Sequence, residues 1–166
     1  MRGAAPLCEG FISYAHEDHE TLIELQKHLK PIERGFGIKF WADKRIVAGD
    51  YWRTEIAEAI LRAEVHVLIV TPAFFDSDFI WEHELPAIHK KYEAGDLVLP
   101  VIAKRCMWEN FLGPLQAVPS ENGRLRPVIE WRPRTNGFDA VRQQSVPALE
   151  AHLGRAPKTP LKWKRP

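Results

Sequence analysis

The run "VHVLIVT", Val65 to Thr71, decides how this chain folds. It is too apolar to face water on either side, so it reads as a strand inside a sheet covered on both faces. Short apolar runs and longer amphipathic stretches alternate on both sides of it. Before it, "GFISY" (10–14) reads as a buried strand. "EDHETLIELQKHLKPI" then reads as a helix, with Asp18 at its N-cap and Leu22, Leu25 and Leu29 at helical spacing. A second strand, "FGIKFWA" (36–42), runs into the polar loop "DKRIVAGD" (43–50). The next helix starts at Asp50 and sets Ile56, Ala59, Ile60 and Ala63 on one face. After the central run come a helix over Ser77–Glu93, the strand "LVLPVIA" (97–103), a short piece near 108–117, the strand "RPVIEW" (126–131) and a helix near 137–152.

Strand and helix thus alternate through five units. Such alternation predicts an α/β fold, a parallel sheet with helices on both faces joined by right-handed crossovers. Five units suggest the flavodoxin-like five-stranded order 2-1-3-4-5, whose ligand site lies at the carboxyl ends of strands one and three. Three loops meet there: Ser13–His16, Asp43–Asp50 and Thr71–Ser77.

The bulk composition narrows the function classes. A length of 166 residues suits one domain, and 45% hydrophobic with 27% charged residues is the balance of a soluble globular protein. Lys plus Arg (23) nearly cancels Asp plus Glu (22), so no field suited to nucleic acid is expected. The exception is "PKTPLKWKRP" (157–166), four positive charges with no negative one, and residues 154–166 read as a basic linker or tail. Residues 1–8 read as an N-terminal extension without the apolar run of a signal peptide. No stretch reaches the length of a membrane span, and Cys8 and Cys106 match no metal-ligand spacing. A cytoplasmic protein with two reduced thiols is expected. "HEDHE" (16–20) reads as a polar helix start, so no metal site is predicted. A receiver domain would want its acidic pair directly after the first strand, and Gly35, Gly37 and Gly49 form no dinucleotide-type phosphate loop.

"SDFIWEHELP" (77–86) lies on the rim of the expected crevice and carries three acids. With about 100° per residue, Trp81, Leu85, Ile88 and Tyr92 share one direction and define an expected buried face, with Glu84 about 60° to its side. Glu82 points the other way, and His83 points to solvent. Glu84 is therefore expected at the boundary, partly desolvated and raised in pKa. Pro86 excludes the carbonyl of Glu82 and removes one hydrogen bond, which predicts a kink or a late helix start near Trp81.

"FISYAHED", "WADKRIVAGDYW" and "SDFIWEHEL", in this order and spacing, resemble a bacterial Toll/interleukin-1 receptor (TIR) domain. The resemblance runs from about Gly10 to His152, within an expected domain of residues 9–153. It implies cleavage of the nicotinamide–ribose bond of NAD+, which is substrate rather than cofactor, by a hydrolase or cyclase that acts as an assembly-activated effector in immunity, anti-phage defence or signalling. The family's catalytic glutamate falls on Glu84, in the pair Glu84-Leu85. Substrate contacts fall on Ser13, Tyr14 and Ala15, on Trp41, Asp43, Lys44, Arg45, Ile46 and Trp52, and on Ser77 and Trp81. Trp108, after the fourth strand, is matched to an aromatic that reaches a neighbouring subunit's pocket. NAD-cleaving relatives in animals carry arginines where this chain has Ala15 and His16, and a glutamate where it has Val47. Phosphate contacts therefore shift to Lys44 or Arg45. The implied partners are NAD+ and other TIR domains, with no membrane and no nucleic acid. Some members act only through TIR–TIR contacts, which keeps a non-enzymatic interaction module as the alternative.

Overall fold

A computed structural model describes residues 8–43 and 50–154. Its sheet has four parallel strands in the order β2-β1-β3-β4: β1 (Cys8–Ser13), β2 (Ile38–Ala42), β3 (Val65–Val70) and β4 (Leu97–Ile102). Every residue of β3 is buried. Its alternation feeds both cores at once, since Val65, Val67 and Ile69 join one apolar cluster while Leu68 and Val70 join the other. Of the helices, α1 (His19–Phe36) covers the first face through Leu22, Leu25, Leu29 and Ile32, and α2 (Asp50–Arg62) covers the second through Ile56, Ala59 and Ile60, with Ala63 just past its end. Each fully buried aliphatic side chain contributes about 1.5–3 kcal/mol. Gly37 ends α1 in the left-handed region (φ 71°), donating its N–H to the Glu33 carbonyl, and this sharp stop lets β2 begin at the next residue.

The order 2-1-3-4 follows the expected topology, but the fifth position differs. The run "RPVIEW" forms a 3₁₀ turn over Val128–Glu130 rather than a strand. Prolines at 119, 127 and 133 remove backbone donors on both sides of it, which leaves too few N–H groups for a ladder. Beside β4 an isolated bridge from Val118 to Val101 stands where the fifth strand is expected, and the 3₁₀ turn is tied to the end of β4 by Ile129 N–H donating to the Ala103 carbonyl at 3.0 Å. A two-residue hairpin, β5 (Ser120–Glu121) with β6 (Arg124–Leu125), turns at Asn122-Gly123 with φ of 52° and 77°. The last helix, here α6 (Arg134–Leu153), packs beside α1 through Phe138, Val141 and Leu149. Among the described residues no helix is long and apolar enough to cross a membrane. Strand β1 starts at Cys8, so that residue belongs to the sheet and not to the expected extension. The stretch 155–166 lies outside the described residues.

Candidate functional site

At the carboxyl edge of the sheet, β1 and β2 end side by side. Tyr14 Oη donates to the Asp43 carbonyl and ties the two ends together. A cleft of about 180 Å³ opens there. The chain after β1 contributes Tyr14, Ala15 and His16, with Ile12 beneath; Asp43 follows β2; α2 supplies Trp52 and Ile56. The remaining wall is Ser77, Phe79, Ile80 and Glu84. Trp52 and Phe79 pack at 4.5 Å between ring centroids and form an aromatic side.

The loop before this wall is fixed from below. Asp18 stands at the N-cap position of α1, but its carboxylate makes no cap. It accepts instead from the Thr71 hydroxyl and lies 3.7 Å from Lys104 Nζ. Thr71 Oγ1 in turn accepts from Phe74 N–H, capping α3 (Pro72–Asp76). Asp18, 3% exposed, thus links the turn carrying His16 to the ends of β3 and β4.

The expected single helix over Ser77–Glu93 is not continuous. A π-helical turn spans Ile80–Glu84, and α4 (Leu85–Glu93) follows it. Leu85 N–H reaches the carbonyl of Ile80, five residues back. Pro86 explains the widening, since it has no N–H to offer and its ring crowds the preceding turn. The buried face consequently differs from the expected one. It runs through Ile80 (1% exposed), Glu84 (5%) and Ile88 (3%), whereas Trp81 and Tyr92 are 37% and 42% exposed. Trp81 faces sideways, donating its indole N–H to the Phe75 carbonyl and packing on Phe75 and Phe111. Glu84 therefore sits in the middle of the buried face rather than at its boundary.

Burial pushes the Glu84 carboxyl up to about 8, and the negative charge of Asp43 pushes the same way. The Ser13 hydroxyl acts against both by favouring the ionised form. The Tyr14 phenol is also raised, by burial first and then by Asp43 and Glu84. The described walls hold two carboxylates and no lysine or arginine, so the cleft suits a neutral or cationic ligand group.

Of the residues expected at the site, the cleft brings together Tyr14, Ala15, Asp43, Trp52, Ser77 and Glu84. Ser13 is fully buried and lies behind the wall. Trp41 lies on the same sheet face as Trp52 and Phe79 but stacks on Phe11 at 5.8 Å, and none of Trp41, Trp81 and Trp108 lines the cleft. Trp108 is half-buried against the α2–α4 core, and its carbonyl accepts from Phe111 and Leu112 at the start of α5 (Glu109–Leu112). Lys44, Arg45 and Ile46 lie outside the described residues. Sequence reasoning missed Ile12, His16, Ile56, Phe79 and Ile80. Ile56 belongs to the core as its helical spacing predicts and reaches the cleft floor as well, Ile80 comes inward only with the π turn, and Phe79 carries no signal beyond being aromatic near the rim. His66, within β3, is fully buried, with Nε2 3.0 Å from Asp96; burial lowers its pKa against the pull of that acid.

Comparison with known proteins gives three results. A family model described as "TIR domain" matches residues 11–132. The Sinorhizobium fredii (strain NBRC 101917 / NGR234) protein named "Uncharacterized protein y4lF" is 28% identical over 151 residues, which takes in 90% of this chain and 45% of that protein. The chain thus spans about half the length of that curated relative. The crystal structure of the TIR domain of the Toll-related receptor TRR-2 from Hydra magnipapillata aligns at 23% identity and a TM-score of 0.49, covering 78% of this chain and 96% of that one.

Proposed function

This chain belongs to the TIR-domain family, and from that premise we propose that it cleaves the nicotinamide–ribose bond of NAD+ with Glu84 as the catalytic carboxylate. The observation that carries the reading is a glutamate 5% exposed at a cleft whose described walls contain no lysine or arginine. Cleavage sends the bonding pair to the pyridinium nitrogen, so nicotinamide leaves neutral and no general acid is needed. The ribosyl group becomes oxocarbenium-like, and a carboxylate beside it stabilises that positive charge. Water then attacks the anomeric carbon and loses a proton to give ADP-ribose, or an adenine nitrogen attacks to give the cyclic product. Trp52 and Phe79 offer an aromatic wall for the nicotinamide ring.

With a pKa of about 8, the empty site holds roughly ten protonated carboxyls for each ionised one at pH 7. A cationic pyridinium in the cleft reverses that preference, because an opposite charge nearby favours the carboxylate. The substrate therefore helps to ionise its own catalyst. A cleft of about 180 Å³ is smaller than the roughly 300–1,000 Å³ of ordinary ligand pockets, so it accommodates the nicotinamide–ribose end alone. The rest of the dinucleotide is assigned to a neighbouring chain, the arrangement of an assembly-activated effector.

A second reading, a module that acts only through TIR–TIR contacts, draws on exposed apolar surface at Trp81, Met107 (69% exposed) and Phe111 (52%). Incubating the purified protein with NAD+ across a range of protein concentrations separates the two. Free nicotinamide, with specific activity rising with concentration, supports the enzyme. No release at any concentration, together with self-association by light scattering, supports the module.

A further inference from the structure

Ser13 closes β1 opposite Leu68 of β3 and has no exposed surface. Its neighbours Ile12 and Tyr14 line the cleft, while Ser13 lies behind it. By hydrogen-bond geometry the Oγ atom has no partner, yet it lies close enough to the Glu84 carboxyl to act on it as a donor. A buried hydroxyl left without an ordinary bond is destabilising, and an alanine would avoid the cost. The carboxyl it favours in ionised form is that of Glu84. A hydroxyl donates more strongly to a carboxylate than to a neutral acid, so this donor is held in reserve until the acid ionises.

We propose that Ser13 is a positioning residue for Glu84, a buried donor that binds the carboxylate when it forms and thereby sets what fraction of the protein carries that charge. The proposal rests on the reading of Glu84 as a carboxylate acting on NAD+. No other described group facing Glu84 does the same work. From the end of β2, Asp43 opposes ionisation. After β1, Tyr14 has its phenol committed to the Asp43 carbonyl, and His16 lies at the cleft wall. On α2, Arg53 is exposed and held over the Trp52 ring, 5.6 Å from its centroid. Lys104 is paired with Asp18. On the turn itself, Glu82 and His83 point outward, with side chains 69% and 43% exposed.

The test compares Ser13→Ala and Ser13→Cys with the unaltered protein. The Glu84 titration is followed by side-chain carboxyl NMR, assigned by loss of the signal in Glu84→Gln, and nicotinamide release is measured across pH. Removing the hydroxyl should raise the Glu84 midpoint by about one pH unit, a tenfold drop in the ionised fraction at neutral pH, with the cysteine variant in between. The acid limb of nicotinamide release should move by the same amount, while maximal activity at high pH is retained. Thermal unfolding at pH 5 should show Ser13→Ala at least as stable as the parent, since it removes an unpaired group. An unchanged Glu84 midpoint in a folded Ser13→Ala protein overturns the proposal; if that variant does not fold, an unchanged midpoint in Ser13→Cys does so. The titration needs no turnover. A midpoint that moves in a protein releasing no nicotinamide upholds the Ser13–Glu84 coupling and rejects the catalytic role assigned to the pair.

Discussion

Replacing Glu84 with glutamine should stabilise the protein by an amount that depends on pH. In the native state the carboxyl titrates near 8, against an ordinary value of 4.5. Between those values the folded protein binds a proton that the unfolded chain releases, so native stability falls as pH rises. The loss is absent below about pH 4.5, grows by about 1.4 kcal/mol per pH unit and levels off above pH 8 at about 5 kcal/mol. Glutamine has the same shape and cannot ionise, so Glu84→Gln escapes this loss. From pH 5 to pH 8 its advantage should grow by about 4 kcal/mol, which corresponds to roughly 8–16 °C in Tm for a domain of this size. Thermal unfolding of both proteins at several pH values from 5 to 8 measures the difference directly, and groups common to both cancel. Nearly equal Tm values at pH 5 and a gap opening in favour of glutamine by pH 8 are expected. A gap of the same size at pH 5 and pH 8 would refute the claim that Glu84 is held protonated by burial.

Activity should separate the two neighbouring acids. Glu84→Gln should lower nicotinamide release by about 10²–10³-fold, while Glu82→Gln, whose parent side chain is 69% exposed, should stay within about twofold on general grounds for a solvated surface residue. Equal losses would sink the assignment. Because kcat/KM reports the free enzyme, it should rise about tenfold per pH unit below a limb near 8, with the kcat limb lower because bound pyridinium favours the carboxylate; a flat kcat/KM from pH 6 to 9 would contradict this. Away from the site, a methyl group at Gly10 would overlap the Phe40 ring, 2.5 Å from Cε1. Gly10→Ala should therefore cost about 1–3 kcal/mol and lower Tm by several degrees, and an unchanged melting curve would show that Phe40 moves aside freely.

The sheet could be read from the sequence wherever apolar runs were long and uninterrupted. Val65–Val70 needs cover on both faces and obtains it, and the leucines of α1 sit on its buried side as their spacing requires. The fifth strand failed for a local reason. "VIE" is apolar enough for a strand, but the nearby prolines leave few backbone donors, and the Arg126 guanidinium and Trp131 indole close the segment on itself by donating to the carbonyls of Glu130 and Arg126. Topology brought Tyr14, Asp43, Trp52, Ser77 and Glu84 to one edge, because strand ends in a parallel sheet converge there whatever their side chains. Aromatic residues were harder to place. Trp41 shares an apolar cluster with Trp52 and Phe79, yet it stacks on Phe11 and leaves the cleft to them, a packing choice that strand alternation does not encode.

Glu84 shows why the remainder was illegible. Even angular steps placed Trp81 inward, on the assumption that the largest apolar side chain marks the core. Pro86 breaks that regularity by forcing a π turn, and Trp81 finds a backbone acceptor and aromatic neighbours off to the side. The inward position then falls to a carboxyl whose ionisation burial opposes, beside a serine hydroxyl that makes no hydrogen bond of ordinary geometry. Elsewhere in the described core the polar side chains are mostly satisfied: Asp18 holds Thr71, and Ser145 donates to the Val141 carbonyl at 2.7 Å. His66 Nδ1 is the other unpaired atom, on a ring whose second nitrogen contacts Asp96. A widened helical turn, a buried acid and an idle donor within one short stretch of space each oppose stability, and none improves the packing. Departures from local rules collect at sites where a protein gives up stability for chemistry. Here they converge on one ionisable oxygen pair facing a cleft, and a positive charge entering that cleft would relieve the largest of them.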